Sequence, residues 1–343
     1  MYMQHVVKNF KEDLHVKKFV TLILAIAMTL SFAAMASAGS ERMLRLATDA
    51  ALEYPTTQAL SRLAELIDQK TDGRITIEIY PSSLLGDEIS YMEQLQIGTV
   101  DMAKLSIGTI SGLYEDMQVF SLPFMFKNSD EMWKVLESPV GEKILDGLNN
   151  YSIQGIGFTD NGNRNFYTTK PITTIDDFAG MTIRAQQNNM MIRMVECLGA
   201  NAVNVSANEV YSALQTGVCS GGENNINTIL TESYYEVAPY VTMDSHTTGM
   251  DVICMSSDLW NELSGEDQAI IKEAMAEATV FDREIWNASI EEALKELEAK
   301  GATIYTPTDE VLDSFKAAVQ PLYAEYTEKL GGWIDAINEV LAE

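Results

Sequence analysis

Residues 178–228 read FAGMTIRAQQNNMMIRMVECLGANAVNVSANEVYSALQTGVCSGGENNINT. Gly180 breaks the chain before a short alternating run, Met181-Thr182-Ile183, a strand signal with Arg184 at its end. Met191, Met194, Val195 and Leu198 then fall on one face of a helix that Gly199 stops. Ala202 to Val205 reads as a second strand. Ser206 and Glu209 have the spacing of a capping box, so a new helix is expected there, burying Val210, Ala213 and Leu214 and closing at Gly217. A short apolar segment leads to a Gly221-Gly222-Glu223-Asn224 turn and a further helix. Strand, helix, strand, helix is the unit of an α/β sheet. Such sheets bind ligands in the crevice outside the carboxyl ends of their strands, where Arg184 and the Glu223-Asn224 turn fall.

The same reading extends outward in both directions. Leu44–Ala47 is a first strand, followed by a loop over residues 48–55 and a helix with Leu60, Leu63, Ala64 and Ile67 on one face. Ile75, Ile77 and Ile79 alternate in a strand that Pro81 ends, and a helix over 89–97 precedes a strand over 100–105. Lys104 near the end of that apolar strand is either a solvated strand-end residue or a cationic ligand contact, since lysine is rarely buried without a partner. One helix is expected over 129–149, and a strand over 153–158, ending in Thr159-Asp160-Asn161-Gly162-Asn163-Arg164. Two further strands are expected near 237–243 and 250–255. From Glu266 to Lys300 there is neither Gly nor Pro, which predicts a helix of about 50 Å that is able to bridge two domains, or two helices meeting near Trp286. A strand over 303–305 and helices to Leu341 complete the chain.

At 343 residues the chain is long enough for two domains with sizeable cores. Its net charge of −27 repels phosphate backbones, so nucleic acid is not an expected partner. Lys8, Lys11, Lys17 and Lys18 precede an apolar run over 19–32 and the small residues Ala36-Ser37-Ala38. This reads as a secretory signal peptide, residues 1–38, cleaved near Ala38, rather than as a membrane anchor, for which the run is short. Cleavage leaves one histidine, His246, which excludes His-rich metal sites and leaves little room for a His-based triad. Cys197, Cys219 and Cys254 are an odd set in apolar surroundings and read as buried thiols, though an exported chain is able to join two of them.

Several motifs occur together and in order: Thr71-Asp72-Gly73-Arg74, Leu85-Gly86, Gly98 to Met102, Leu122-Pro123-Phe124, Asn161-Gly162-Asn163-Arg164, Gly180 to Arg184, Leu198 to Asn201, Glu209 to Gly217, and Glu223-Asn224. In these the chain resembles the periplasmic solute-binding subunits of tripartite ATP-independent periplasmic (TRAP) transporters, the DctP-type family. The resemblance implies an α/β, two-domain periplasmic-binding-protein fold (type II-like) with a central ligand cleft and a long helix spanning both domains. Residues 39–161 with 250–289 would form the first domain, and 162–249 with 290–343 the second. It implies that Arg184 pairs with the substrate carboxylate, that Arg164 is a second carboxylate partner, and that Asn224 donates a hydrogen bond to it. A guanidinium meets a carboxylate bidentately, which suits the role; the other reading of Arg184 is an interdomain salt bridge. Lys104 sits where members of the family vary by substrate; Gln187, Asp49, Tyr54, Asp87, Glu88 and His246 fall on stretches that line the cleft in the family, and each is equally readable as solvated or supporting. Where the family often has an aromatic, this chain has Ser206-Ala207-Asn208, which makes the pocket wider or more polar, and Ala202 replaces a usual Pro.

The expected function is therefore non-enzymatic capture of a small organic carboxylate in the periplasm and its delivery by cleft closure to the TRAP permease subunits in the membrane. The polar stretch at Ala207 and Lys104 favour a sugar acid such as a uronate or aldonate. C4-dicarboxylates, 2-oxo acids and aromatic acids stay open, as does a ligand-sensing partner of a membrane receptor. No cofactor, no metal and a monomer are expected. An exported enzyme would need a base and a nucleophile in one site, and no nucleophile motif is present.

Overall fold

The computed structural model describes residues 41–343, so the expected signal peptide lies outside the described residues. The strands are β1 (Arg42–Ala47), β2 (Ile75–Tyr80), β3 (Met102–Ser106), β4 (Ile153–Thr168), β5 (Thr182–Ala185), β6 (Asn201–Asn204), β7 (Gly221–Asn224), β8 (Tyr240–Ser256) and β9 (Thr303–Tyr305). The helices are α1 (Pro55–Lys70), α2 (Glu88–Gln96), α3 (Ile107–Leu113), α4 (Ser129–Leu136), α5 (Pro139–Asp146), α6 (Asn189–Cys197), α7 (Val210–Gln215), α8 (Ile226–Thr231), α9 (Ser257–Glu262), α10 (Gly265–Ala299) and α11 (Asp309–Ala342), with short 3-10 turns between some of them. The strands make one sheet in the order β2-β1-β3-β8-β4-β7-β5-β6, with β9 beside β8.

β4 and β8 run antiparallel through the middle of that sheet, from Ile153 opposite Ser256 to Thr168 opposite Tyr240. The strand expected over 153–158 runs on to Thr168, and the two strands expected near 237–243 and 250–255 are one. Polar residues signalled a stop, but the ladder absorbs them through register shifts between Asp160 and Asn163 and between Arg164 and Phe166. Gly162 makes this possible: its φ is +61°, and a Cβ there would stand 3.0 Å from the Trp286 ring. Opposite it, a Cβ on Gly249 would lie 2.6 Å from the Gly162 carbonyl oxygen. The bulge turns Asn161 and Arg164 into the space between the two halves of the sheet.

α10 is one unbroken helix of 35 residues, not two. Near its start Ile271 and Met275 pack with Leu46, Leu63 and Ile253; near its end Ala293 and Leu297 pack with Tyr167, Leu214 and Ile229. Trp286, 1% exposed, sits between these two clusters with its ring edge-on to Tyr54 at 5.5 Å. The helix is thus held at both ends by different cores, and nothing in its middle offers a break.

Other elements differ from expectation for local reasons. Pro139 splits the helix expected over 129–149 into α4 and α5, because proline brings no N–H and clashes with the preceding turn; Ser138 caps the new start. Ser206 and Glu209 bond each other's side chains at 2.7 Å instead of closing a capping box on the backbone, and a 3-10 turn over 207–209 precedes α7. Gly221 to Asn224 is a strand, β7, paired to β4, rather than a turn. The C-terminal segment is a single helix, α11, with Pro321 inside it; it packs on α6, which lies against β5 and β6, and also on α4 and α5, which lie against β4. Cys197, Cys219 and Cys254 are free, the last two buried, and burial pushes the Cys254 thiol up.

Candidate functional site

A cavity of about 260 Å³ opens where the two halves of the sheet face each other. Asp49, Tyr54, Asp87, Glu88, Lys104, Arg164, Arg184, Gln187, Ala207 and Asn224 all line it. His246 does not: it is 1% exposed and lies behind the wall, stacked on Phe166 at 4.4 Å between ring centroids.

Arg184 is placed by β5 and is 5% exposed. Its Nε donates to the Val205 carbonyl at 2.9 Å, which fixes the plane of the guanidinium. No carboxylate among the described residues pairs with it, so the interdomain salt bridge is absent and its Nη groups remain as donors beside the cavity.

Arg164 is differently committed. Its Nε and Nη2 grip the Glu223 carboxylate, Nη2 at 2.9 Å from Oε1, and Nη2 also donates to the Glu223 carbonyl at 2.7 Å. Nη1 donates to Asn224 Oδ1 at 3.1 Å. That contact turns the oxygen of the Asn224 amide toward Arg164 and leaves its Nδ2 as the donor not engaged by described residues. Behind this pair, His246 Nδ1 lies 2.9 Å from Asp244 Oδ2 and its Nε2 3.5 Å from Glu223 Oε2. Burial works against a charge on His246, but Asp244 and Glu223 outweigh it and raise the ring to about 9. Burial likewise opposes ionisation of Glu223, yet Arg164 and His246 hold it down to about 2. The result is a buried chain of alternating charge under the cavity floor.

Lys104 is neither solvated nor free. Placed by β3 and 4% exposed, its Nζ lies 2.5 Å from Asp49 Oδ1, 3.1 Å from Glu88 Oε1 and 3.8 Å from Asp251 Oδ2. Burial penalises its charge, but the three carboxylates raise it well above the ordinary lysine range. Glu88 also accepts from the Ser106 amide at 2.9 Å and from the hydroxyls of Ser106 and Thr109, both at 2.5 Å. Burial alone would raise that carboxyl; Lys104 and these donors keep it below the usual range. Asp251 goes the other way: burial, reinforced by Glu88 and Asp49 against Lys104, raises it to about 7. Asp87 faces the cavity while capping α2, its Oδ1 accepting from the Ser90 amide at 2.9 Å.

A polar relay joins the two sides. Asn161 Nδ2 donates to Asp251 Oδ1 at 2.9 Å, and Asn161 Oδ1 accepts from the Tyr54 hydroxyl at 3.0 Å and from Asn225 Nδ2 at 2.6 Å. The Tyr54 hydroxyl also meets Thr228 Oγ1 at 2.9 Å. Asn188 Nδ2 donates to Ser111 Oγ at 2.8 Å, tying the segment after β5 to α3. Thr228, Ser106, Thr109, Tyr234 and Glu232 line the cavity without having been singled out in the sequence, where nothing distinguishes them from surface polar residues. Asn161 stands inside the Asn-Gly-x-Arg motif, of which only Arg164 is an expected site residue.

The family described as bacterial extracellular solute-binding protein, family 7 (DctP), matches residues 46–330. The chain belongs to this family. It is similar, at 34% identity over 306 residues, to the protein YiiZ of Salmonella typhimurium, with 88% of this chain and 90% of that protein covered. A TRAP periplasmic solute-binding protein from Pseudomonas putida with bound D-glucuronate superposes with a TM-score of 0.81 at 32% identity, covering 86% of this chain and 97% of that one. One from Xanthobacter autotrophicus with bound β-D-galacturonate gives 0.83 at 30% identity, covering 87% and 99%. The fold is therefore the two-domain α/β fold of these binding proteins, with α10 as its long helix. The solute-binding protein is a transport component rather than an enzyme; its family binds small organic acids and works with a membrane permease.

Proposed function

We propose that this solute-binding protein captures a sugar acid, a hexuronate or aldonate, in the periplasm and hands it to the permease. Arg184 carries the reading: a buried guanidinium with its plane fixed and no carboxylate partner among the described residues lines a cavity whose other cations, Arg164 and Lys104, are already paired, and whose remaining wall is largely hydroxyls, amides and carboxylates. A planar fork of that kind meets a ligand carboxylate bidentately, and the rest of the lining suits a polyol. The uronates in the similar structures have this chemistry. Asn224 Nδ2 adds a donor; Arg164, spent on Glu223, holds Asn224 in place and offers the ligand its residual field. Tyr54, Gln187 and Ala207 shape the wall. His246 acts from behind, through Glu223.

Closure would move residues 39–161 with 250–289 against 162–249 with 290–343, bending at the Asp160–Asn163 register shift of β4 and near Gly249 of β8. α11, which packs on both sides, would limit that motion. Residues 1–38 would direct export and be removed. The protein is read as a monomer without cofactor, its acidic surface unsuited to nucleic acid.

A ligand that binds only the native state stabilises it by about 2.7 kcal/mol at a hundred times its dissociation constant. A melting-temperature screen is therefore decisive: D-glucuronate, D-galacturonate or galactonate should raise the transition, and succinate, pyruvate and benzoate should not. A rise with one of the latter three alone would overturn the proposal.

A further inference from the structure

The cavity is electrically lopsided. Arg184, from β5, is its cation without a carboxylate partner. From the other half of the sheet come Asp49 after β1, Glu88 at the start of α2 and Lys104 on β3. There one ammonium serves three carboxylates, Asp49, Glu88 and Asp251. Burial raises Asp49 and Asp251 against the pull of Lys104, whereas Glu88 is kept below its ordinary range, so any carboxylate that enters here meets acids crowded around a single ammonium. Asp87 and the exposed Glu232 line the cavity as well and add to the same sign. Glu88 is held in its charged form by the Ser106 and Thr109 hydroxyls and the Ser106 amide, so it is not a group that readily accommodates a second anion by taking up a proton. Hydroxyl groups of a ligand find acceptors on this side. A carboxylate finds like charge in a poorly solvated site, where repulsion is far stronger than in water.

We propose that Asp49 and Glu88 form a charge filter: on the side of the cavity facing Arg184, Asp49 accepts hydroxyl hydrogens of a sugar acid, while Glu88, its oxygens already filled by Lys104, Ser106 and Thr109, adds only its charge, and together they repel a second carboxylate, so the site takes monocarboxylate sugar acids and rejects the aldaric diacids of the same chain length. The filter rests on the sugar-acid reading and adds to it the identity of the discriminating residues. Asp49 is the more informative of the two, because its side chain is 21% exposed and its replacement disturbs the core less than that of Glu88.

Calorimetry on matched pairs tests it: D-glucuronate against D-glucarate, and D-galacturonate against galactarate, with wild type, Asp49→Asn and Glu88→Gln, each checked for its melting transition. Wild type should prefer the monocarboxylate of a pair by at least about 100-fold, the scale of a like-charge juxtaposition at an interface. In Asp49→Asn that ratio should fall by about tenfold or more, and Glu88→Gln should shift it the same way. Near-equal binding of both members of a pair by wild type, or an unchanged ratio in a well-folded Asp49→Asn, would overturn the filter while leaving the sugar-acid reading intact. If Asp49→Asn does not fold, the wild-type ratio and Glu88→Gln decide. Binding of no member of either pair would bring down the uronate reading and the filter with it, and if galactonate also fails to bind, the sugar-acid reading as a whole.

Discussion

Replacing Glu223 with glutamine separates the two arginines into different roles. Glu223 is fully buried and takes two guanidinium nitrogens of Arg164, with His246 Nε2 3.5 Å from its Oε2. Glu223→Gln keeps the volume and removes the charge, so Arg164 and His246 stay buried with their shared counter-charge gone. The Glu223 carboxyl sits at about 2 against an ordinary 4.5, a depression that corresponds to about 3 kcal/mol of folding stability. Breaking a buried ion pair on one side typically costs about 3–5 kcal/mol, which agrees. For a chain of this length the loss lowers the melting temperature by about 4 °C. The sign with pH follows from the depressed value. The contribution is present above pH 4.5 and disappears as pH falls through about 2, so the variant's deficit should be full at pH 6 and shrink below pH 4. Urea unfolding at pH 6 and pH 3.5 measures both quantities. A loss under 1 kcal/mol at pH 6, or a deficit that grows in acid, would refute the buried-chain argument.

His246, raised from 6.5 to about 9 by Asp244 and Glu223, contributes stability that is complete below pH 6.5 and fades as pH rises through about 9. His246→Gln should therefore be less stable than wild type at pH 6 and close to it at pH 10, by thermal melting; a deficit independent of pH would exclude a charged His246. Lys104→Met leaves Asp49, Glu88 and Asp251 without their ammonium and should lower the melting temperature by several degrees, a stability role the sequence did not announce. An unchanged transition would show that the cluster sheds its charge by other means.

The opening α/β stretch was legible because each strand and helix there is short and bounded by glycine: Gly180, Gly199 and Gly217 all adopt positive φ in the structure. The long helix was legible from a run without Gly or Pro. What escaped was anything set by pairing over distance. Asn161 to Arg164 read as a strand end because they are polar, yet β8 supplies ladder partners for Asn163 and Arg164, Thr248 and Thr247, and carries Asn161 and Gly162 in a register shift. Lys104 looked like a strand-end oddity because its three carboxylates come from Asp49, Glu88 and Asp251, on separate elements. Motif order brought Arg184, Arg164 and Asn224 forward as a group, but not that Arg164 spends itself on Glu223 or that His246 stands behind the wall.

The central claim is that Arg184 holds the ligand's carboxylate, and calorimetry with D-glucuronate on wild type, Arg184→Lys and Arg184→Ala measures it directly. In a closed, water-poor cavity the ion pair should be worth about 2–5 kcal/mol, so Arg184→Ala should bind about 30-fold to several thousand-fold more weakly. Arg184→Lys keeps the charge but loses the fork and should recover only part of that affinity. Both variants should melt near wild type, because Arg184 has no carboxylate partner among the described residues. Near-wild-type affinity in Arg184→Ala, or its failure to fold, would contradict the account.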